Sequence, residues 1–407
     1  MDGGRENFSP QTDLRDFLAA CEENGQLETV EGAHWDKEMG AVVEVLYRER
    51  VEKSKAVLFD KVPGYPDGFR CLYGMLASPY RLALAVGMDT ELKDDRFALL
   101  KAYREKMFNH EPIPPRFVDD GPVMENIITG DDIDIAKLIP VPIHHELDGG
   151  RYIGTACGVI TRDLDNGRVN SGTYRCMVHD GQTLGVMSSN GKQGNIQRAK
   201  YFAKGEPCPV TIVVGVDPTH FLAARMTIPD DVEEFAFQGG LAGKPIDLIT
   251  GDNGLPFPAN SEIVIEGYIS TEFLEPEAPF GESHGHVNLQ EYNAFMDVTC
   301  ITRKKDAILT SIISQVTPSE SSVIKRVAYE PMFTEHLRDH LGIKGVIKVS
   351  MHEPLTNIRK LIIVICERGM PSTEIWRALY GAASLHRAAG KYVIAVNDDI
   401  DPDNADA

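Results

Sequence analysis

Two acids and two histidines crowd into PEAPFGESHGHV, residues 276–287, where Glu277 and Glu282 flank a Pro279-Phe280-Gly281 turn and His284 and His286 follow it. Phe280 at the centre of that turn seeks burial and draws its neighbours inward. A carboxylate drawn in this way loses hydration and can hold a proton for donation near neutral pH. Two such acids need a cation beside them, or one of them stays protonated. A solvated loop carrying two surface acids is the plainer alternative. The His-x-His pair suggests a metal, but in a strand residues i and i+2 share a face and such pairs are often structural. Both readings stay open.

The matching cation comes from VNSGTYRCM, residues 169–177. From Asn170 to Arg175 a Gly-containing bend runs into a strand and gathers an amide oxygen, hydroxyls and a guanidinium. Amide oxygens suit hard divalent ions, and arginine suits carboxylate or phosphate. Alone, the stretch is explained as well by a turn asparagine and a surface arginine. VMSSNGKQGNIQ (186–197) is a polar glycine-bearing loop with Lys192 and Gln193, of the kind whose backbone N–H groups wrap a phosphate. DDVEEFAFQGGLAGKPIDL (230–248) sets Glu233 and Glu234 before an apolar run, a placement that a helix N-terminus favours anyway. No Gly-x-Gly-x-x-Gly or Walker pattern occurs.

These pieces need a scaffold, and 407 residues imply two or three domains. Hydrophobic content of 43% and charged content of 25% are globular values. A net charge of −20 with no basic block argues against nucleic acid as a partner. No apolar run approaches the roughly 18 residues of a membrane span, and the N-terminus lacks an apolar signal segment, so a cytoplasmic enzyme is expected. Seven scattered cysteines without a Cys-x-x-Cys pair fit reduced thiols used as small hydrophobes.

Along the chain, residues 12–25 and 36–53 read as helices, 56–62 as a strand and 90–108 as a Thr-capped helix, which is an α/β start. The Pro-rich segment 109–123 breaks the pattern and places a boundary near 120. RYIGTACGVITRD, GTYRCMVHD, PVTIVVGVD, SEIVIEGYIS, AFMDVTCITRK and DAILTSIIS then read as short strands between turns, a barrel or sandwich over 121–315. From 316 to 407 the α/β pattern returns: strands GVIKVSM, KLIIVIC and KYVIAVN, with a Ser-capped helix over 372–390.

The order of the motifs is distinctive. Asn170-x-x-x-x-Arg175, the Gly-Lys loop, Glu234 ahead of a Gly-x-Leu-x-Gly-x-Pro turn, PANSEIVIEG, PEAPFGE and the terminal KYVIAVNDDIDPDN together resemble the UbiD-type decarboxylases, which use prenylated FMN. The similarity runs from about residue 10 to the end. It implies an α+β, multi-domain chain: an N-terminal α/β domain, a central split β-barrel that binds flavin, and a C-terminal α/β oligomerisation domain. Family members continue beyond the DDID turn with a helix bordering the pocket, so the resemblance implies an incomplete C-terminal domain here.

Carried across by position, the resemblance makes Glu282 the proton donor, with Arg175 and Glu277 orienting the substrate carboxylate. Asn170, Ser171, Thr173, Tyr174, Arg175, Lys192, Gln193, Ala224, Arg225, Met226 and Glu234 fall on positions that meet the flavin or its ion. Asn170, Glu234 and Gln193 would bind a divalent cation, Mn²⁺ or Mg²⁺, with K⁺ as a further candidate. Gln193 stands where many members have a histidine, so the third ligand departs from the family pattern.

The implied reaction is reversible, non-oxidative decarboxylation or carboxylation of an aromatic or α,β-unsaturated carboxylic acid. No side chain absorbs the charge left on carbon as CO₂ departs, which is the cofactor's task. The implied partners are that acid, CO₂, a flavin prenyltransferase and further subunits in a homo-oligomer (dimer or hexamer) or a hetero-oligomeric carboxylase. Two competing readings are an FMN-dependent oxidoreductase, which would need a nicotinamide donor, and a non-catalytic assembly subunit.

Overall fold

Asp13 opens the first helix by accepting the Arg15 N–H at 2.7 Å, and Gly25 ends that segment at a positive φ of 64°. The structure, a computed structural model, describes residues 13–50, 53–88, 96–225, 228, 232–270, 273–277, 279–282, 285–288, 291–315, 317–351, 360–386, 390–402 and 404. Thr90, the expected cap of the 90–108 helix, lies outside the described residues. The N-terminal domain comprises α1 (Leu14–Glu23), β1 (Leu27–Glu31), α2 (Glu38–Arg50), β2 (Ala56–Asp60), β3 (Arg70–Tyr73), α3 (Pro79–Ala85) and α4 (Arg96–Phe108). β1 and β2 run parallel, and β2 and β3 antiparallel.

The central region follows as β4 (Arg116–Phe117), β5 (Asn126–Thr129), α5 (Ile135–Leu138), β6 (Tyr152–Gly154), β7 (Cys157–Arg162), β8 (Val169–Gly172), β9 (Arg175–Val178) and β10 (Thr183–Met187). Then come α6 (Gln193–Ala203), β11 (Cys208–Val214), α7 (Pro218–Arg225), α8 (Glu234–Ala242), β12 (Asp247–Thr250), β13 (Pro256–Pro258), β14 (Ile263–Ile269), β15 (Glu275–Glu277), β16 (Phe280–Gly281), β17 (Val287–Asn288) and β18 (Glu291–Arg303). The main sheet has the order β6-β9-β10-β18-β14-β11-β7-β8, with β15 and β5 also paired to β18. Its neighbouring pairs are antiparallel and curl into a half-barrel. β18 holds it together, pairing with β15 and β10 near its start and with β14 and β5 near its end. β7 and β11 are buried along nearly their whole length because α6 packs against both, so they read as apolar runs and not as alternations.

Four features differ from the sequence reading. DAILTSIIS leaves the barrel: β19 (Ile308–Thr310) pairs in parallel with β3 and completes the N-terminal sheet β1-β2-β3-β19. Three residues in a strand cannot announce their partner; the register with Arg70–Leu72 is a long-range choice. The polar loop after Met187 ends sooner than its composition suggests, because α6 begins at Gln193. The third feature is α9 (Glu320–Glu335), which the texture did not signal and which leads into the last domain. That domain has β20 (Val346–Met351), β21 (Leu361–Cys366), α10 (Ser372–Ser384) and β22 (Tyr392–Asn397), with sheet order β20-β21-β22. Ser372 is the first residue of α10, preceded by Pro371, and does not cap it.

Ser319 caps α9, and the adjoining Glu320 is fully buried, accepting from Gly74 N (3.0 Å) and Leu76 N (2.5 Å). Burial pushes its carboxyl up to about 7, against those backbone donors and the neighbouring Arg81. The folded chain therefore keeps a proton that the unfolded chain, at an ordinary 4.5, releases. This stabilisation is full below pH 4.5 and is lost as pH rises through about 7. Glu320→Gln should flatten that decline. Urea midpoints at pH 5 and pH 8 check it, and equal pH slopes in the two proteins would reject the argument.

Candidate active site

The PFGE turn forms a narrow hairpin. β16 pairs with β17, Glu282 N donates to His286 O (2.9 Å) and Gly285 N donates to Glu282 O (2.9 Å), which fixes the Glu282 backbone at the hairpin tip. His286 is exposed and His284 lies outside the described residues. Phe280 is half-buried and stacks on Tyr152 with ring centroids 3.9 Å apart. The turn is tied to the segment before β6, where Gly281 N donates to Asp148 Oδ1 (3.3 Å) and Gly149 N to Pro279 O (2.9 Å). Asp148 also accepts from His145 N (3.0 Å), and His145 Nε2 meets Glu44 Oε1 of α2 at 3.0 Å. Burial works against a charged His145, yet hydrogen bonds to Asp148 and Glu44 outweigh it and lift its pKa to about 9.

Arg175, the first residue of β9, reaches both acids of the PEAPFGE stretch. Its Nε donates to Glu277 Oε1 (2.8 Å) and its Nη2 to Glu277 Oε2 (2.6 Å), while Nη1 donates to Glu282 Oε1 (2.7 Å). The structure thus brings together Arg175, Glu277 and Glu282, the three residues singled out in the sequence. The sequence reading missed a third acid: Arg175 Nη2 also donates to Glu291 Oε2 (2.8 Å). Asn293 Nδ2 adds a bond to Glu277 Oε2 (2.6 Å). Glu291 and Asn293 share a strand face, and that i, i+2 spacing in EYNAFMD was the available signal. Burial weakens the charge on Arg175, but Glu277, Glu282 and Glu291 more than restore it, and the guanidinium titrates above its usual range. Tyr152 is held protonated, by burial first and then by the nearby Glu277.

Directly before Arg175, the chain from Asn170 to Tyr174 lines a cavity of about 410 Å³. Its other walls are Arg168, Gly191, Lys192, Gln193, Ala224, Arg225, Ile228 and Glu234. Every residue expected to meet the cofactor lines this cavity, except Arg175, which borders it in sequence, and Met226, which lies outside the described residues. The Tyr174 ring lies where side chains at Gly172 and Gly194 would collide with it, at 2.7 and 2.9 Å from their would-be Cβ atoms. Gly194 N donates to Tyr174 OH (3.2 Å), joining the start of α6 to this wall.

The donors fit an anionic cofactor with a hard cation. Among the described residues Glu234 Oε2 and Thr173 Oγ1 are buried without a hydrogen-bond partner, and burial raises the Glu234 carboxyl. Asn170 uses its amide nitrogen on Thr161 Oγ1 (3.5 Å), which leaves its oxygen for a ligand. Among the described residues no cluster of three His, Cys, Asp or Glu has metal-site geometry. One carboxylate and the two amides Asn170 and Gln193 therefore leave the remaining coordination positions to ligand oxygens.

Behind the wall runs a buried chain that nothing in the sequence signalled. Ser171 Oγ meets His220 Nε2 (3.2 Å), His220 Nδ1 meets Gln238 Oε1 (3.0 Å), and Gln238 Nε2 donates to Asp217 Oδ2 (2.5 Å). Burial lowers the His220 pKa to about 4, so the ring is neutral. With the Gln238 amide spent on Asp217, its oxygen takes the Nδ1 proton and Nε2 accepts from the Ser171 hydroxyl. The PANSEIVIEG motif is structural in turn: Glu262 is wholly buried, accepting from Arg15 Nε and Nη2 (both 2.9 Å) and from Lys304 Nζ (2.9 Å). All seven cysteines are free and buried, and among the described residues no helix is long and apolar enough to cross a membrane.

Comparison with known proteins accords with this geometry. Residues 116–316 match the 3-octaprenyl-4-hydroxybenzoate carboxy-lyase Rift-related domain of the UbiD family, and residues 18–98 match the N-terminal domain of the same family. The chain is 32% identical over 325 residues to a pyrrole-2-carboxylic acid decarboxylase from Pseudomonas aeruginosa, an alignment covering 77% of this chain and 64% of that protein. The chain thus spans less than two thirds of that relative's length. An evolved dimeric form of the UbiD-class enzyme HmfF from Pelotomaculum thermopropionicum, solved with prFMN, superposes with a TM-score of 0.79 at 26% identity, over 96% of this chain and 86% of that one. The open form of vanillic acid decarboxylase from Sedimentibacter hydroxybenzoicus gives 0.81 at 25% identity, over 98% and 83%. Matched in its N-terminal and central domains and across its fold, this chain belongs to the UbiD family.

Proposed function

We propose that the chain is a prenylated-FMN-dependent decarboxylase, working reversibly on an aromatic or α,β-unsaturated carboxylic acid. The observation that carries this reading is Arg175, bridging Glu277 and Glu282 beside a cavity lined by the residues expected to hold the flavin. When bound, the flavin supplies the electron sink that the departure of CO₂ from an sp² carbon requires. Lys192, Arg225 and the α6 N-terminus would hold its phosphate, and Glu234, Asn170 and Gln193 a Mn²⁺ or Mg²⁺ beside it.

The side chains around Arg175 have separate tasks. Arg175 seats the substrate carboxylate by charge-assisted hydrogen bonds. Glu277, buried and held by Arg175 and Asn293, keeps the guanidinium in place. Glu282 at the hairpin tip delivers a proton to the carbon that has lost CO₂. The stacked Phe280 and Tyr152 keep water from that proton path. Exposed Trp376, Tyr380, Tyr392 and Ile394 on the C-terminal domain support an oligomer built through that domain.

The test is co-expression with a flavin prenyltransferase, then the absorbance spectrum and mass of the retained small molecule, then CO₂ release from a panel of aromatic acids. A modified flavin with substrate-dependent CO₂ is expected. NAD(P)H oxidation without CO₂ would favour an oxidoreductase. Asn170→Ala should lower metal and flavin content together, with metal affinity down about tenfold or more. Elemental analysis and flavin absorbance of the purified variant check this, and unchanged content of both would remove Asn170 from the ion site.

A further inference from the structure

Arg175 is more crowded than holding a substrate requires. A guanidinium offers carboxylates two flat edges, Nε–Nη2 and Nη1–Nη2. Glu277 takes the first edge with both of its oxygens. The second edge is divided, with Glu282 on Nη1 at 2.7 Å and Glu291 on Nη2 at 2.8 Å. A substrate carboxylate that binds Arg175 with both oxygens must therefore use the second edge and displace both acids from it.

The three acids differ in how firmly they are held. Side-chain exposure is 3% for Glu277, 30% for Glu282 and 40% for Glu291. Glu277 and Glu291 sit directly opposite each other in the β15–β18 register. Like charges so placed repel, and Nη2, in contact with both, is the group that reconciles them. Evicting Glu282 has a use, since it frees that acid for proton delivery. Evicting Glu291 has no such return, and its cost falls on binding.

We propose that Glu291 is a displaceable plug on the Nη1–Nη2 edge of Arg175, evicted by an incoming aromatic carboxylate, and so a positioning residue that sets affinity for anionic ligands. This rests on the function proposed above only in taking the ligand to be a carboxylate bound at Arg175. Once in place, the ligand carboxylate substitutes for Glu291 on Nη2, while Glu277 keeps the other edge and holds the arginine's posture.

The experiment is calorimetric titration of the cofactor-loaded protein, wild type and Glu291→Gln, with benzoate and separately with benzamide. Benzoate should bind the variant about three- to tenfold tighter, the scale of a partly exposed charge interaction, and benzamide should be unaffected. Glu291→Ala, which removes the acceptor as well as the charge, should show the same contrast. Equal benzoate affinity in all three proteins would overturn the plug while leaving the proposed function intact. Weaker binding of both ligands would make Glu291 a brace for Arg175 and overturn it too. If none of the proteins binds benzoate, the carboxylate-at-Arg175 reading fails, and the plug with it.

Discussion

Glu282→Gln should lower turnover by about 10²–10⁴-fold while the purified chain keeps its flavin. Glutamine preserves size, and its amide oxygen can still accept the Arg175 Nη1 hydrogen bond that Glu282 Oε1 now takes at 2.7 Å. The hairpin backbone is fixed by His286 O and Gly285 N independently of the side chain. Only the transferable proton is lost. Single-turnover CO₂ release, normalised to flavin absorbance, measures the effect. Release within about threefold of wild type would assign the proton to another group, because a positioned general acid is worth far more than that.

Glu262→Ala should cost about 3–5 kcal/mol of stability, the largest structural effect expected of any single change discussed. Glu262 binds Arg15 of α1 through both oxygens, binds Lys304 just after β18, and accepts Ile308 N (3.1 Å) at the start of β19. It joins the first helix to the half-barrel and to the strand that returns to the N-terminal sheet. Its removal leaves Lys304, buried almost completely, with Asp13 at 3.6 Å as its remaining carboxylate. A buried ammonium stripped of its main partner is the costly outcome, more than the loss of the pair itself. Thermal and urea unfolding of the variant should show a large downward shift. A change below about 1 kcal/mol would mean that water reaches Lys304 and screens it.

These two residues show where sequence reasoning stops. Glu282 drew attention in the sequence because of its neighbours: a phenylalanine that seeks burial and a rigid turn make a nearby acid unusual. Glu262 lies in an equally distinctive motif, PANSEIVIEG, yet its role as a clamp could not be read there. Its partners Arg15 and Lys304 come from α1 and from the turn after β18, and neither carries a local mark of that pairing.

The sequence by itself determined the chemical inventory and its local presentation. It supplied a guanidinium at the start of a strand, two acids around a stiff hairpin, and the polar run from Asn170 to Tyr174, whereas the grouping of that run with Lys192, Gln193, Ala224, Arg225 and Glu234 came from the family resemblance. Turn chemistry and periodicity are short-range properties, so they can be read in order along the chain. Tertiary structure alone decided which distant groups meet: Glu291 opposite Glu277 through the β15–β18 register, His220 behind Ser171, and β19 beside β3. Strand pairing is settled by how the sheet curls and closes. A shift of one residue would turn Glu291 to the other face and leave Arg175 with two acids instead of three.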